Sequence, residues 1–191
     1  MIEIQKPYWT PTKQQIESSN MYKMMMELNK RYALTMDSYD ELHSWSVEKK
    51  KEFWDYLWEL AEVKYSQPYT DVFIDDTIRK KIPRPIWFPG AKLNFAENML
   101  KYNDDSVALI ARREDKENTR MTYKELNNSV AKLAHYFREI GVKKGDRVAG
   151  FVTNIPETIV CMLAATSIGA IWSSSSPDFG FQGIMDRFGQ I

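Results

Sequence analysis

Glycine is scarce in this chain: 8 of 191 residues, seven of them at or after Gly141, so that Gly90 stands alone in the first 140. The ordinary share is about 7 per cent. No G-x-x-x-x-G-K-[ST] and no G-x-G-x-x-G occurs, which excludes the glycine-lined cradles in which backbone N–H groups close on phosphate. Cysteine is scarcer still. Cys161 is the single thiol; it forms no internal disulfide, and between Ile159-Val160 and Met162-Leu163 it reads as a small core side chain rather than a nucleophile. Charge of either sign in excess is missing as well, with Lys plus Arg and Asp plus Glu at 26 each. Zero net charge gives no global field to recruit nucleic acid or an anionic membrane. There is no apolar run of 18 residues, and Met1-Ile2-Glu3-Ile4-Gln5-Lys6 lacks both parts of a secretion signal, so the expected compartment is the cytoplasm.

What is present suits a soluble, folded chain: 43 per cent hydrophobic, 13 per cent aromatic and 27 per cent charged residues. At about 150 residues per domain the length corresponds to roughly 1.3 domains. Neither proline nor glycine occurs between Thr12 and Gln67, which predicts a helical N-terminal third. A first helix is expected to start at Thr10-Pro11, with Met21, Met24, Met25, Leu28 and Tyr32 at helical spacing. Those methionines could line a groove, but at this spacing they read as flexible core filler. Ser38-Tyr39-Asp40-Glu41 matches a capping box opening a short helix. A longer helix after Ser46 is expected to bury Trp54, Leu57, Trp58 and Ala61, flanked by Phe53, Tyr56 and Leu60. Lys49-Lys50-Lys51 reads as a solvated face. Pro68, Pro83, Pro85, Pro89 and Gly90 then mark a connector.

Beyond the connector the pattern becomes α/β. Residues 106–113 read as a strand that pairs with Thr119–Met121 across a charged turn. The capping box Thr122-Tyr123-Lys124-Glu125 opens a helix with Leu126, Val130, Leu133, Phe137 and Ile140 on one stripe, closed by Gly141. A turn at Lys143–Asp146, a strand over Arg147–Thr153, a helix from Pro156 to Gly169 and a strand over Ala170–Ser173 make a βαβ unit with a parallel pair. Phe181, Ile184, Met185 and Phe188 have helical spacing but no strand follows them, so the sheet reads as unfinished.

Chemistry-bearing clusters are few. His43 and His135 sit on different helices with no acid or nucleophile placed to form a triad, and no Cys/His set has zinc spacing, so neither catalytic residues nor a metal site is expected. Asp75-Asp76 and Asp104-Asp105 fall where turns are expected. Arg79-Lys80-Lys81 and Arg112-Arg113 lack the interleaved aromatics and basic surplus of a nucleic-acid surface. One segment stands out: Ser173-Ser174-Ser175-Ser176-Pro177-Asp178, between a strand and a helix. Strand C-termini in open sheets meet ligands, yet the same residues also read as a turn in which Asp178 caps the next helix.

Residues 87–98, Trp-Phe-Pro-Gly-Ala-Lys-Leu-Asn-Phe-Ala-Glu-Asn, resemble the signature near the start of acetoacetyl-CoA synthetases, members of the adenylate-forming acyl-CoA synthetase superfamily. Residues 121–126, 141–148 and 168–180 resemble that superfamily's later segments in the same order. The helical stretch before Trp87 is similar to the N-terminal cap of the acetyl-CoA synthetase branch. Pro89 stands where acetyl-CoA synthetases usually carry a second glycine, which favours the acetoacetate member.

The resemblance implies a helical cap with its connector over 1–86, followed over 87–191 by the incomplete start of the large α/β domain of an adenylate-forming enzyme. It implies ligation of acetoacetate to CoA with ATP and Mg2+ through an acyl-adenylate. It also implies that the phosphate loop and catalytic lysine lie beyond Ile191, so the chain alone is expected to be inactive and to bind none of these tightly. Ser175, Ser176, Pro177 and Asp178 resemble the loop beside the family's CoA channel, without the paired glycines of acetyl-CoA synthetases. The expected partners are acetoacetate and, through the unfinished sheet, a C-terminal half or a second copy. An assembly module built on this N-terminal half, pairing through the aromatic face at Trp54 and Trp58, is the other reading.

Overall fold

The computed structural model describes residues 8–75, 85–114 and 116–191; the expectations for Asp76, Arg79-Lys80-Lys81 and Pro83 lie outside them. The described residues of Met1–Ala61 and Val72–Ile86 form one compact unit, and those of Glu62–Asp71 and Trp87–Ile191 a second.

The first unit is helical. Its first helix, α1 (Lys13–Ser18), is capped by Thr12 and not by Thr10. Thr12 has the partner a capping box requires: its hydroxyl accepts from Gln15 N–H, and Gln15 Oε1 accepts from Thr12 N–H at 2.8 Å. Position 13, three residues after Thr10, is a lysine, which cannot return that bond. The helix is also interrupted. Ser19 ends α1 and caps α2 (Asn20–Tyr32), accepting from Tyr22 N–H, because a serine hydroxyl competes for backbone donors where a helix would otherwise continue.

α2 buries Met25 and Leu28, while Met24 and Tyr32 pack partly against them. The methionines therefore behave largely as core, although Met21 is half exposed. Ala33 closes α2 in the left-handed region. Beyond it, Asn29 brackets Met36, donating to its carbonyl at 2.7 Å and accepting from its N–H at 3.0 Å. Ser38 caps α3 (Tyr39–Glu48) as expected, but the reciprocal half of the box is shifted: the Glu41 carboxylate takes Asp37 N–H at 2.8 Å. That bond holds the Glu41 carboxyl below its ordinary range.

The helix expected after Ser46 is instead the end of α3 and a separate α4 (Lys50–Leu60), which has no side-chain cap. The inner face of α4 also differs. Tyr56 is its buried residue, with Phe53 and Leu57 packed partly beside it, while Trp54 and Leu60 are exposed. The innermost position is taken by Tyr56. Its hydroxyl donates to the Glu27 carboxylate, and burial with that neighbour pushes its pKa up to about 12. Arg31 links α2 to α4 through Glu59. Lys49, Lys50 and Lys51 are exposed.

In the second unit, α5 (Phe95–Met99), β3 (Val107–Ala111), β4 (Thr119–Thr122) and α6 (Tyr123–Glu139) precede the βαβ unit; the short pair β1 (Phe73–Ile74) and β2 (Ile86–Trp87) lies upstream. β3 and β4 are antiparallel, with Ile110 opposite Arg120 and a register shift between Val107 and Leu109. The Thr122–Glu125 capping box forms in full. α6 buries Leu126, Val130 and Ala134; Ile140, expected on that stripe, is exposed and acts as the C-cap.

Next come β5 (Arg147–Phe151), α7 (Pro156–Ser167), β6 (Ile171–Ser175), a single 3-10 turn (Pro177–Phe179) and α8 (Gly180–Phe188). β5 and β6 pair in parallel, Arg147 with Ile171 through Phe151 with Ser175. α7 packs Val160, Leu163 and Ala164 against Leu126, Val130 and Ala134 of α6 in one core with Ala96 of α5. Gly150 is held as glycine by contact: a Cβ there would lie 2.6 Å from the Trp172 ring. No described helix is long and apolar enough to cross a membrane.

Candidate functional site

The segment 87–98, the most distinctive in the sequence, does structural work. Gly90 has φ +84° and passes so close to Thr70 that a Cβ would lie 3.2 Å from its methyl. Thr70 N–H donates to the Pro89 carbonyl at 2.8 Å, and Lys92 exchanges backbone bonds with Ser66 and Gln67. Asn94 caps α5 through Glu97 N–H and also donates to the Thr166 carbonyl at 2.9 Å. Asn98 clasps the backbone of Lys64, accepting from its N–H and donating to its carbonyl. Ala96 is fully buried. Asn94 therefore ties α5 to the end of α7, the turn from which β6 departs. The sequence carried this role only as an Asn three residues before a Glu.

The serine loop is carried by β6 and the turn after it. β6 extends to Ser175, two residues further than expected, because its ladder with β5 runs to Phe151 and Val152 N–H adds a bond to the Ser175 carbonyl at 3.2 Å. Ser175 is 5% exposed, and its Oγ is the one buried side-chain polar atom without a hydrogen-bond partner among the described residues. The cap of the following turn is Ser176 and not Asp178. Ser176 Oγ accepts from Asp178 N–H and donates to the Asp178 carboxylate at 2.7 Å. Proline supplies no N–H at position 177, so the first donor that a cap can satisfy is that of residue 178. Asp178 thus orients the serine hydroxyl and remains exposed. Nearby, Arg187 lies over the Phe179 ring at 3.8 Å.

This arrangement suits some ligands and excludes others. A buried hydroxyl with no partner is a costly group, of the order of 1–3 kcal/mol, that a ligand amide or carbonyl would satisfy. An exposed carboxylate three residues on disfavours a phosphate at the same place.

The other candidates are not drawn into this site. His43 stacks on Tyr39 and His135 lies 3.2 Å from Glu139, both exposed on their helices. Burial, and then the charge of Glu157, push the Cys161 thiol up, against a nucleophilic role. Asp104 forms a turn by accepting from Ser106 N–H at 2.9 Å. A cleft of about 370 Å³ opens between Leu109–Arg112 and Asn154–Pro156; none of Ser175–Asp178 lines it. Among the described residues no cluster of His, Cys, Asp or Glu is arranged to hold a metal.

Comparison with known proteins shows where the similarity lies. Residues 39–99 match the family model "Acetyl-coenzyme A synthetase N-terminus", and residues 95–188 match "AMP-binding enzyme". Over these residues the chain is similar to AMP-binding enzymes and to the N-terminus of acetyl-CoA synthetases. Within that class its relatives are specific: it is similar to the N-terminal part of acetoacetyl-CoA synthetases. It is 43% identical over 188 residues to the "Acetoacetyl-CoA synthetase" of Xenopus tropicalis, covering 97% of this chain and 27% of that protein. The "Acetoacetyl-coenzyme A synthetase" of Rhizobium meliloti (strain 1021) is 40% identical over 190 residues, 100% of this chain and 29% of its own length. The solved structure "Acetoacetyl-CoA Synthetase from Streptomyces lividans" superposes with a TM-score of 0.87 at 35% identity, over 98% of this chain and 29% of that one. The chain thus spans less than a third of the relatives it matches.

Proposed function

We propose that this chain is the N-terminal part of an enzyme that joins acetoacetate to CoA with ATP, giving acetoacetyl-CoA, AMP and pyrophosphate. The observation that carries this reading is the agreement of identity and fold along nearly the whole chain with proteins named for that activity. In the first step an acetoacetate oxygen attacks the α-phosphorus of ATP, and pyrophosphate leaves with the electron pair of the broken P–O bond. In the second the CoA sulfur attacks the acyl carbon, the C–O bond to phosphate breaks, AMP departs and the thiol proton passes to a base. Adenylation is needed because a carboxylate by itself is a poor acyl electrophile. Holding the reactants in line supplies much of the rate.

In this reading the described residues contribute a CoA-facing loop and not the phosphate site. Ser175 Oγ, buried and without a partner, meets an amide of the neutral pantetheine arm, while Ser176, Pro177 and Asp178 shape the turn beside it. In this reading ATP and Mg2+ are held by residues outside this chain. Residues 1–86 form the cap and connector, and the enzyme works in the cytoplasm. By itself the chain is inactive and binds these ligands weakly. The assembly-module reading draws on the exposed Trp54, but Trp58 is half-buried, which shrinks that face.

The test is a chimera in which this chain replaces the matching segment of the Streptomyces lividans enzyme. Acetoacetate-dependent pyrophosphate release is expected, with S175A raising the KM for CoA while leaving that for ATP unchanged. A folded chimera that releases no pyrophosphate with acetoacetate would contradict the reading.

A further inference from the structure

The turn after β6 is closed by a backbone conformation that only glycine adopts readily. Gly180 has φ +62° and ψ −178°, a region closed in practice to residues with a Cβ. Crowding is not the reason for glycine here, because a Cβ at this position would meet nothing within 4 Å. The requirement is for chain direction. Gly180 N–H donates to the Pro177 carbonyl and completes the 3-10 turn, after which the chain folds back as α8. Phe179 is thereby held against the helix: the Arg187 guanidinium lies over its ring at 3.8 Å, and a Cβ at Gly183 would lie 3.0 Å from the Phe179 Cβ. On its other side the segment is fixed by the β5–β6 ladder, which runs to Ser175, and by Val152 N–H on the Ser175 carbonyl. Residues 175–178 therefore span two anchors, one a strand and the other a single glycine.

We propose that Gly180 is a positioning residue for CoA: its backbone holds residues 175–178 in the shape that presents the buried Ser175 hydroxyl to the ligand, without touching the ligand itself. This rests on the proposed function, which makes that loop CoA-facing. A residue with a Cβ at this position shifts the equilibrium toward loop shapes with negative φ, and apparent affinity falls with the fraction of molecules that keep the competent shape. ATP, held outside this chain in the same reading, is the internal reference. Gly141 supplies the contrast. It too has positive φ, +89°, and nothing within 4 Å of an added Cβ, but it follows α6 and takes no part in the loop.

The experiment uses the chimera described above and titrates CoA and ATP by calorimetry, which reads binding without turnover. Gly180→Ala is expected to weaken CoA at least about fivefold and to leave ATP within about twofold. Gly141→Ala, which forces backbone strain elsewhere, should lower the melting temperature and leave both affinities unchanged. Handedness is tested in the isolated chain, prepared by joining residues 1–160 to a synthetic 161–191 segment at Cys161, the single thiol. Gly180→D-Ala favours positive φ, as the mirror image of the L preference, and should keep the bond from the residue 180 amide to the Pro177 carbonyl. Gly180→Ala should let that amide exchange at least about tenfold faster. This arm stands even where the chimera variant does not fold. Equal CoA affinity in the parent and G180A, an equal loss in G141A, or equal exchange in the two alanine variants would overturn the inference. A chimera that loses CoA affinity with G180A yet makes no acetoacetyl-CoA sinks the function and keeps the inference; an active chimera whose CoA affinity ignores G180A does the reverse.

Discussion

Gly150→Ala is the sharpest probe of the βαβ unit, since its effect depends on parallel register placing Trp172 beside position 150. A Cβ there would lie 2.6 Å from one ring carbon of Trp172 and 2.8 Å from a second, well inside van der Waals contact. Overpacking of this kind costs about 1–3 kcal/mol. Against it stands a gain of about 0.4–1 kcal/mol from the reduced freedom of the unfolded chain, so the net loss is about 1–2 kcal/mol. For a chain of this size that corresponds to a fall in Tm of about 2–8 °C. The assay is thermal unfolding followed by circular dichroism, run as a double-mutant cycle with Trp172→Leu. With the ring removed, Gly150→Ala should become neutral or slightly stabilising. Loss of the same size in both backgrounds would refute the contact, and no loss in either would refute the register.

Leu28→Ala, at a fully buried site in the helical unit, should cost about 2–5 kcal/mol in chemical denaturation. Asn94→Ala removes a cap and a tie to α7 together and should cost about 1–2 kcal/mol, with faster exchange at the start of β6 as its specific signature. Tyr56 carries a folded-state pKa raised from 10.0 to about 12, so its contribution is complete below pH 10 and lost as pH rises through 12. Unfolding curves should therefore show stability falling over that window in the parent and a flatter profile in Tyr56→Phe. Ser175→Ala, which removes an unpartnered buried hydroxyl, should stabilise the isolated chain by up to about 1–3 kcal/mol.

Much of this architecture was legible because local chemistry decides it. Thr122 with Glu125, Gly141 after α6 and Pro156 at the start of α7 each satisfy a backbone requirement within a few residues, and the strand, helix, strand order follows from the period of the apolar positions. The misreadings occurred where two local solutions compete or where tertiary partners choose. Thr10 and Thr12 both look like caps, and only the residue three positions on separates them. Ser18-Ser19 breaks a helix that apolar spacing alone would continue. The inner face of α4 centres on Tyr56, bonded to Glu27, a partner 29 residues away. At the candidate site the loop was visible as a run of serines, but which serine is buried and which one caps depends on the length of the β5–β6 ladder, and proline at 177 moves the cap from Asp178 to Ser176.

The central claim, that this chain is the N-terminal part of an acetoacetate-activating ligase, is tested most directly by thioester formation from acetoacetate, ATP and CoA. Measured side by side, the chimera with the Streptomyces lividans enzyme should form acetoacetyl-CoA with one AMP released per thioester, and the isolated chain should form none. Turnover by the isolated chain, or a folded chimera that makes no thioester, would contradict the account.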